Sequence, residues 1–190
     1  MDKKGLLDNA VITFFSGKKE FRSLSNFWEN PVIVGNKKDK KEYETGEHCF
    51  HGEKYVRLGR ICKDSKRKRE LIMYGLTFVK PSKYKTAVEA KKKGGKNGLL
   101  LTSTELEDWS ILCIYVQYEI SKYKLETYEE VKEDLIKSKD KILVHPALRT
   151  SEEKVATRTW EGKAIIKDGQ VEIIGKNMLG NTWMELRSKI

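Results

Sequence analysis

The segment Tyr43–Lys54 gathers a carboxylate, two imidazoles and an ammonium into twelve residues: Glu47, His48, His51 and Lys54. These are the groups of acid–base and nucleophilic chemistry. If the segment is helical, positions three or four apart share a face. Glu47, His51 and Lys54 then line one edge, while Phe50 and Tyr55 turn toward a core. An amphipathic helix with a charged outer face fits the same pattern, and this segment alone does not separate the two readings.

Other reactive side chains are sparse. Cys49, Cys62 and Cys113 are three in number and have no short paired spacing, which predicts neither a disulfide framework nor a zinc knuckle. Cys49 is expected to be a buried structural thiol. The histidines are His48, His51 and His145. The first two lack an evident third ligand, so no metal and no cofactor are expected.

Elements that would position the helix follow from local patterns. Ala10 to Phe15 reads as a buried strand and Val32-Ile33-Val34 as a second, with Gly35-Asn36 turning into a basic loop. The motif helix is expected over Glu47 to Leu58. Asp64-Ser65 reads as the cap of a short helix carrying Leu71, Ile72 and Met73. Pro81 suits the first turn of the next helix, which Gly94-Gly95 would end. A long helix is predicted from about Thr104 to Tyr123, because Leu106, Trp109, Leu112, Cys113, Val116 and Ile120 recur at three or four. Thr127 to Glu130 has capping-box spacing, so a further helix should run to about Lys137. Ile142-Leu143-Val144 reads as a strand. Lys163 to Ile174 reads as a hairpin about Asp168-Gly169, and Met178 to Lys189 as a closing helix with Leu179, Trp183 and Leu186 on its core face. The expected class is α+β: one compact, mainly helical domain over 1–190 with a few short strands.

The chain has 190 residues, 38% of them hydrophobic, with four Trp, eight Tyr and six Phe. That is enough for one folded domain with a substantial core. No apolar run approaches membrane-spanning length, and Met1 to Gly5 lacks the apolar core of a signal peptide, so a cytoplasmic protein without membrane partners is expected. Lys plus Arg total 38 against 28 Asp plus Glu, a net charge of +10 that favours phosphate-bearing partners. The basic residues cluster in Lys37 to Lys41, Lys63 to Arg69 and Lys91 to Lys96. Solvated faces and polyanion contacts both produce such runs. No motif specifies an oligomeric state.

Four blocks in order resemble the NADAR superfamily. Ile12-Thr13-Phe14-Phe15 with Leu24-Ser25-Asn26-Phe27 is similar to the opening strand and "LSNF" turn. Tyr43, Thr45, Glu47, His48, Phe50 and Lys54 match the "Y-x-T-x-E-H-x-F-Q-x-x-K" helix, with His51 in place of Gln. Ala90 to Gly94 resembles "A-K-x-x-G-R", and Glu107-Asp108-Trp109 resembles the "x-D-W" of the long helix. Gly175 to Gly180 with Met184 to Arg187 is similar to the C-terminal "G-K-N-x-L-G…L-M-x-L-R". There are two departures. Thr157 stands where the family carries an Asp before Trp160, followed by Glu161-Gly162, and His145 stands where a Glu often closes the "L-V-E" strand.

The resemblance implies an N-glycoside hydrolase that splits a base from a ribose phosphate. The substrates it suggests are phosphoribosyl-aminopyrimidine intermediates of riboflavin synthesis and ADP-ribosyl-guanine. The partner would be a small ribose-phosphate or ADP-ribose conjugate, or ADP-ribosylated DNA. Such a bond breaks through an oxocarbenium-like state, which calls for nearby negative charge. Glu47 is the expected carboxylate. Lys54 is expected as a phosphate ligand or an amine nucleophile, and Glu161 as the acid replacing the missing Asp. Asn26, Phe27, His51 and Lys91 are the expected substrate contacts of the first three blocks. Trp160 can stack on a flat base, and Lys176 and Asn177 precede a helix N-terminus suited to phosphate. A silent ADP-ribose or nucleotide reader, or a nucleic-acid module, fits the same features.

Overall fold

Four helices begin where the sequence supplies an oxygen-bearing side chain for an orphan backbone amide. Thr45 accepts from His48 N at 3.4 Å, Asp64 from Arg67 N at 2.6 Å, Thr86 from Glu89 N at 3.1 Å and Thr102 from Glu105 N at 3.2 Å. The computed structural model describes residues 3–190. In chain order the elements are α1 (Lys3–Ala10), β1 (Val11–Thr13), β2 (Val32–Val34), β3 (Lys41–Tyr43), α2 (Gly46–Ile61), α3 (Ser65–Leu76), α4 (Ala87–Gly94), α5 (Ser103–Thr127), α6 (Glu129–Lys137), β4 (Ile142–Val144), α7 (Glu152–Ala156), β5 (Lys163–Lys167), β6 (Gln170–Ile174) and α8 (Met178–Arg187). A 3-10 turn covers Arg22–Leu24. The class is the expected one, mainly helical with short strands. No helix among the described residues is long and apolar enough to cross a membrane.

The chain forms two compact units: Asn26–Lys124, and the residues up to Ser25 together with Leu125–Ile190. In the first, which is continuous in sequence, β2 and β3 pair antiparallel, Val32 opposite Tyr43. Its core joins Val32, Val34 and Tyr43 to Cys49, Tyr55 and Leu58 of α2, with Leu71, Phe78, Tyr84, Ala90, Val116 and Ile120. An aromatic cluster centres on Phe78, whose ring lies 4.6 Å from Tyr84 and 5.8 Å from Tyr74.

In the discontinuous unit, β1 and β4 run parallel, Val11 opposite Ile142. Leu143 and Val144 are buried, as are Leu179, Trp183 and Leu186 of α8. The Trp183 indole donates to Leu24 O at 2.8 Å, satisfying its one polar atom. The hairpin β5–β6 turns at Asp168 and Gly169, both at positive φ (50° and 78°), the geometry of a type I′ turn.

Several boundaries differ from those predicted. Pro81 does not open a helix: it follows a cis Lys80–Pro81 bond, and α4 begins six residues later under the Thr86 cap. The Thr127–Glu130 capping box does not form, because Thr127 is still the last turn of α5, which puts Tyr128 at the cap position with no capping bond from its side chain. The reciprocal box stands instead at Thr102 and Glu105, where Thr102 N also donates to Glu105 Oε2 at 2.8 Å. Leu106, placed on the core face by periodicity, is exposed. Helices α1 and α7 and strand β3 are additional to the predicted set.

Candidate functional site

The site is built on α2, whose first turn is tied back to the Leu24–Phe27 turn: Glu47 N donates to Asn26 O at 2.9 Å. Helix α2 carries two buried carboxylates, Glu47 and Glu53, at 7% and 2% exposure. Burying a carboxylate is costly unless its oxygens find partners, and the two are partnered very differently. Glu53 is saturated. Its Oε1 accepts from the Tyr43 hydroxyl at 2.8 Å, its Oε2 from Arg57 Nε at 2.9 Å, and Lys41 Nζ lies 3.8 Å away. Glu47 has one side-chain partner among the described residues, His51 Nε2 at 3.1 Å from Oε1. Its second oxygen is uncommitted.

His51 sits against the end of α4. A Cβ on Gly94 would lie 2.0 Å from His51 Cγ, so this approach needs glycine. The ring nitrogen Nδ1 is buried and has no hydrogen-bond partner. A neutral ring donating from Nε2 to Glu47 leaves only a lone pair unmatched, whereas an imidazolium would strand an N–H. Burial lowers the His51 pKa, against the opposing pull of the Glu47 hydrogen bond. His51 is therefore neutral at pH 7 and orients Glu47.

One turn further on, Lys54 is 7% exposed, and its ammonium donates to Gly94 O and lies 4.7 Å from the Tyr55 ring centroid. Burial pulls its pKa down to about 8, with Glu47 acting in the opposite sense. The amine thus titrates near physiological pH. Lys91, exposed on α4, carries its Nζ 5.3 Å from the ring centroid of Phe27, a cation–π contact.

His48 is no reagent. Its ring nitrogens are held by Thr45 Oγ1 at 2.9 Å and Tyr84 O at 3.0 Å within the core. Cys49 is fully buried, and burial pushes its thiol well up, as a structural thiol requires.

Asn26 has a partner the sequence did not disclose. Its Nδ2 donates to Gln117 Oε1 at 2.7 Å, and Gln117 Nε2 returns a bond to Asn26 Oδ1 at 3.1 Å and another to Ser121 Oγ at 3.1 Å. Gln117, Ser121 and Lys124 form a buried polar stripe at helical spacing on α5. Lys124 Nζ lies 5.4 Å from the Trp28 ring centroid, and burial pulls its pKa down to about 7. Polar residues at helical spacing are usually read as a solvent face, and that reading, together with the long separation from Asn26, hid this stripe in the sequence.

The remaining predicted residues belong to the discontinuous unit. Trp160 and Glu161 are half-buried and Lys176 is exposed. Asn177 is buried, with its amide spent on β4: Oδ1 accepts from His145 N at 3.1 Å and Nδ2 donates to Leu143 O at 2.8 Å. That geometry makes Asn177 a tie between β4 and the start of α8. The Thr157 hydroxyl donates to Lys154 O at 3.0 Å, closing α7.

Parts of the basic runs are structural. Lys41 is buried against Asp39 and Glu53, and Arg67 makes a two-pronged contact with Glu105 at 2.8 Å on each arm. Among the described residues no group of three or more His, Cys, Asp or Glu side chains is arranged to hold a metal ion.

Comparison with known proteins assigns the chain to a class. The model of the NADAR domain matches residues 13–190, and the chain belongs to that family. Its fold is similar to that of the E. coli protein YbiA, solved by NMR, with 23% identity over 95% of this chain and 84% of that one and a TM-score of 0.57. No curated protein matches the sequence.

Proposed function

We propose that the chain hydrolyses an N-glycosidic bond between a base and a ribose phosphate, with Glu47 as the carboxylate facing C1. The observation that carries this reading is the unequal treatment of the two buried acids on α2. Glu53 is used up by Tyr43 and Arg57, while Glu47 keeps an oxygen free beside a neutral His51 and a lysine of lowered pKa. A carboxylate held this way can stabilise an oxocarbenium-like centre and take a proton from the attacking water. The C1–N electron pair leaves with the base, which ends with the proton that Glu47 took from the water, and the hydroxyl adds at C1.

Lys54 serves this chemistry as an ammonium that draws the ribose phosphate toward Glu47. About nine tenths of it is charged at pH 7, given a pKa near 8. Lys91 adds a second cation at Phe27. The NADAR resemblance supplies the substrate class: phosphoribosyl-aminopyrimidines or ADP-ribosyl-guanine, free or on DNA.

The absence of an acid at Thr157 favours one other reading, a reader that binds ADP-ribose conjugates without cleaving them. Incubation with ADP-ribosyl-guanine DNA and with the aminopyrimidine ribose phosphates, with released base detected by mass, separates the two. Release that is lost in Glu47→Gln supports hydrolysis. Saturable binding without release supports the reader.

A further inference from the structure

The discontinuous unit contains a cavity of about 1090 Å³ that none of Asn26, Phe27, Glu47, His51, Lys54, Lys91, Trp160, Glu161, Lys176 or Asn177 lines. Its size is at the upper end of small-molecule sites. Its walls have two characters. Apolar side chains from α1, β1, β4 and the following loop, including Leu7, Ile12, Val144 and Leu148, form one part. The other is cationic: Lys18, Lys19, Lys137, Lys141, Arg149 and Lys163 against the carboxylates of Asp8 and Glu20.

Four of those six cations are not neutralised by an ion pair. Lys137 is paired with Glu20 and Lys163 with Glu152, both at 2.8 Å. Lys18 is instead pinned to uncharged oxygens, donating to Thr13 O at 3.0 Å and Thr13 Oγ1 at 2.7 Å. Lys141 likewise donates to Asp8 O at 3.0 Å. Lys19 and Arg149 make no hydrogen bond or ion pair among the described residues. Arg149 is also held at φ +55°, a conformation a side-chain-bearing residue adopts at some cost. Two ammonium groups fixed in place without loss of charge, with two free cations beside them, make a head-group site for an anion.

The cavity also borders an unpaired strand edge. Among the described residues strand β1 pairs with β4 alone, and Val11, Ile12 and Thr13 all line the cavity. Apart from Thr13 O, which Lys18 takes, this edge offers main-chain groups to a planar heterocycle, and the apolar wall offers it a surface.

We propose that this cavity is a second small-molecule site, one that takes a phosphorylated nucleoside with its phosphates at Lys18, Lys19, Lys141 and Arg149 and its base along the β1 edge. The inference is independent of the role given to Glu47.

The test is calorimetric titration of the 190-residue chain with ADP and with adenosine, in wild type, Lys19→Glu/Arg149→Glu and Lys54→Met. ADP is expected to show a binding component that survives in Lys54→Met, weakens about tenfold or more in the charge-reversed pair, and clearly outcompetes adenosine. Neither Lys19 nor Arg149 supports another residue by a bond, so the pair should melt like wild type. Should it fail to fold, Lys19→Gln/Arg149→Gln is read the same way, with a smaller loss expected. Equal ADP affinity in wild type and the charge-altered pair overturns the proposal. So does no ADP binding at all, a loss confined to Lys54→Met, or a short oligonucleotide binding through Lys19 and Arg149 where ADP does not.

Discussion

The main-chain carbonyl of Asn26 accepts the amide proton of Glu47 at 2.9 Å, so the turn that presents Asn26 also caps the helix that presents Glu47. The Asn26 side chain is simultaneously locked to Gln117 in both directions. One residue thereby sets the start of α2 against a buried stripe of α5. The backbone that carries the free carboxylate is fixed by this tie, and His51 orients its side chain.

The two acids of α2 should respond oppositely to neutralisation. Glu47→Gln is expected to reduce base release on the order of 100-fold or more, with its melting temperature near that of wild type. Glu53→Gln should instead lower the melting temperature, since the half-buried Arg57 and the buried Tyr43 hydroxyl lose their carboxylate. Release assays and thermal melts on both variants check this. Normal turnover in Glu47→Gln would remove Glu47 from the chemistry.

The pH profile reads the state of Lys54. With an ammonium required and a pKa of about 8, turnover should fall as pH rises through 8. An amine nucleophile would give the opposite slope. Because the pKa is lowered on folding, the unfolded chain holds more protons than the folded one between about 8 and the ordinary lysine value. The same residue thus penalises stability below 8 and releases that penalty as pH climbs. Lys54→Met should abolish the kinetic limb and flatten this part of the stability curve.

Gly94→Ala forces a methyl onto the His51 ring, with Cβ 2.0 Å from Cγ. A cost of roughly 1–3 kcal/mol is expected for such overpacking. Combining it with His51→Ala should recover most of that loss if the ring is the obstacle. Chemical denaturation of the single and double variants gives the answer, and equal destabilisation in both would point to the α4 backbone instead.

Gln117→Leu keeps the volume of the buried stripe while stripping both hydrogen bonds from the Asn26 amide. Two outcomes are expected together: a loss of about 1–3 kcal/mol in stability from the stranded amide, and a rise in KM larger than any fall in kcat if Asn26 contacts substrate. Gln117→Glu, which keeps an acceptor for Nδ2, should restore part of the KM.

Where each level of structure was legible depended on whether the signal was local. Asp168-Gly169 specified its turn, because two successive positive φ values favour just such a pair, and the hairpin over 163–174 stands as read. Asp64 declared its helix for the same reason, as a side chain bonding an amide three residues on. Strand β3 was hidden because one of its inward residues is Lys41, whose charge is answered by Asp39 and, more distantly, Glu53. Gln117 was illegible as a partner of Asn26 because nothing in a helical repeat says which polar residue meets a segment 91 positions away. The Glu47–His51 pair was visible as an i,i+4 spacing, but the saturation of Glu53, which singles Glu47 out, depends on Tyr43 and Arg57 converging in three dimensions.

The split between a continuous unit, Asn26–Lys124, and one assembled from both ends of the chain bears on synthesis. Strand β1 emerges from the ribosome well before β4, its one sheet partner among the described residues, so Val11 must wait for Ile142. The helix carrying Glu47 has every partner named above within residues 26–124 and is expected to be protected from protease while translation is still under way. The cavity of the other unit comes into being later, since its lining extends to Ala164. A nascent chain arrested after Lys124 should already protect α2 while leaving residues 3–25 open to cleavage.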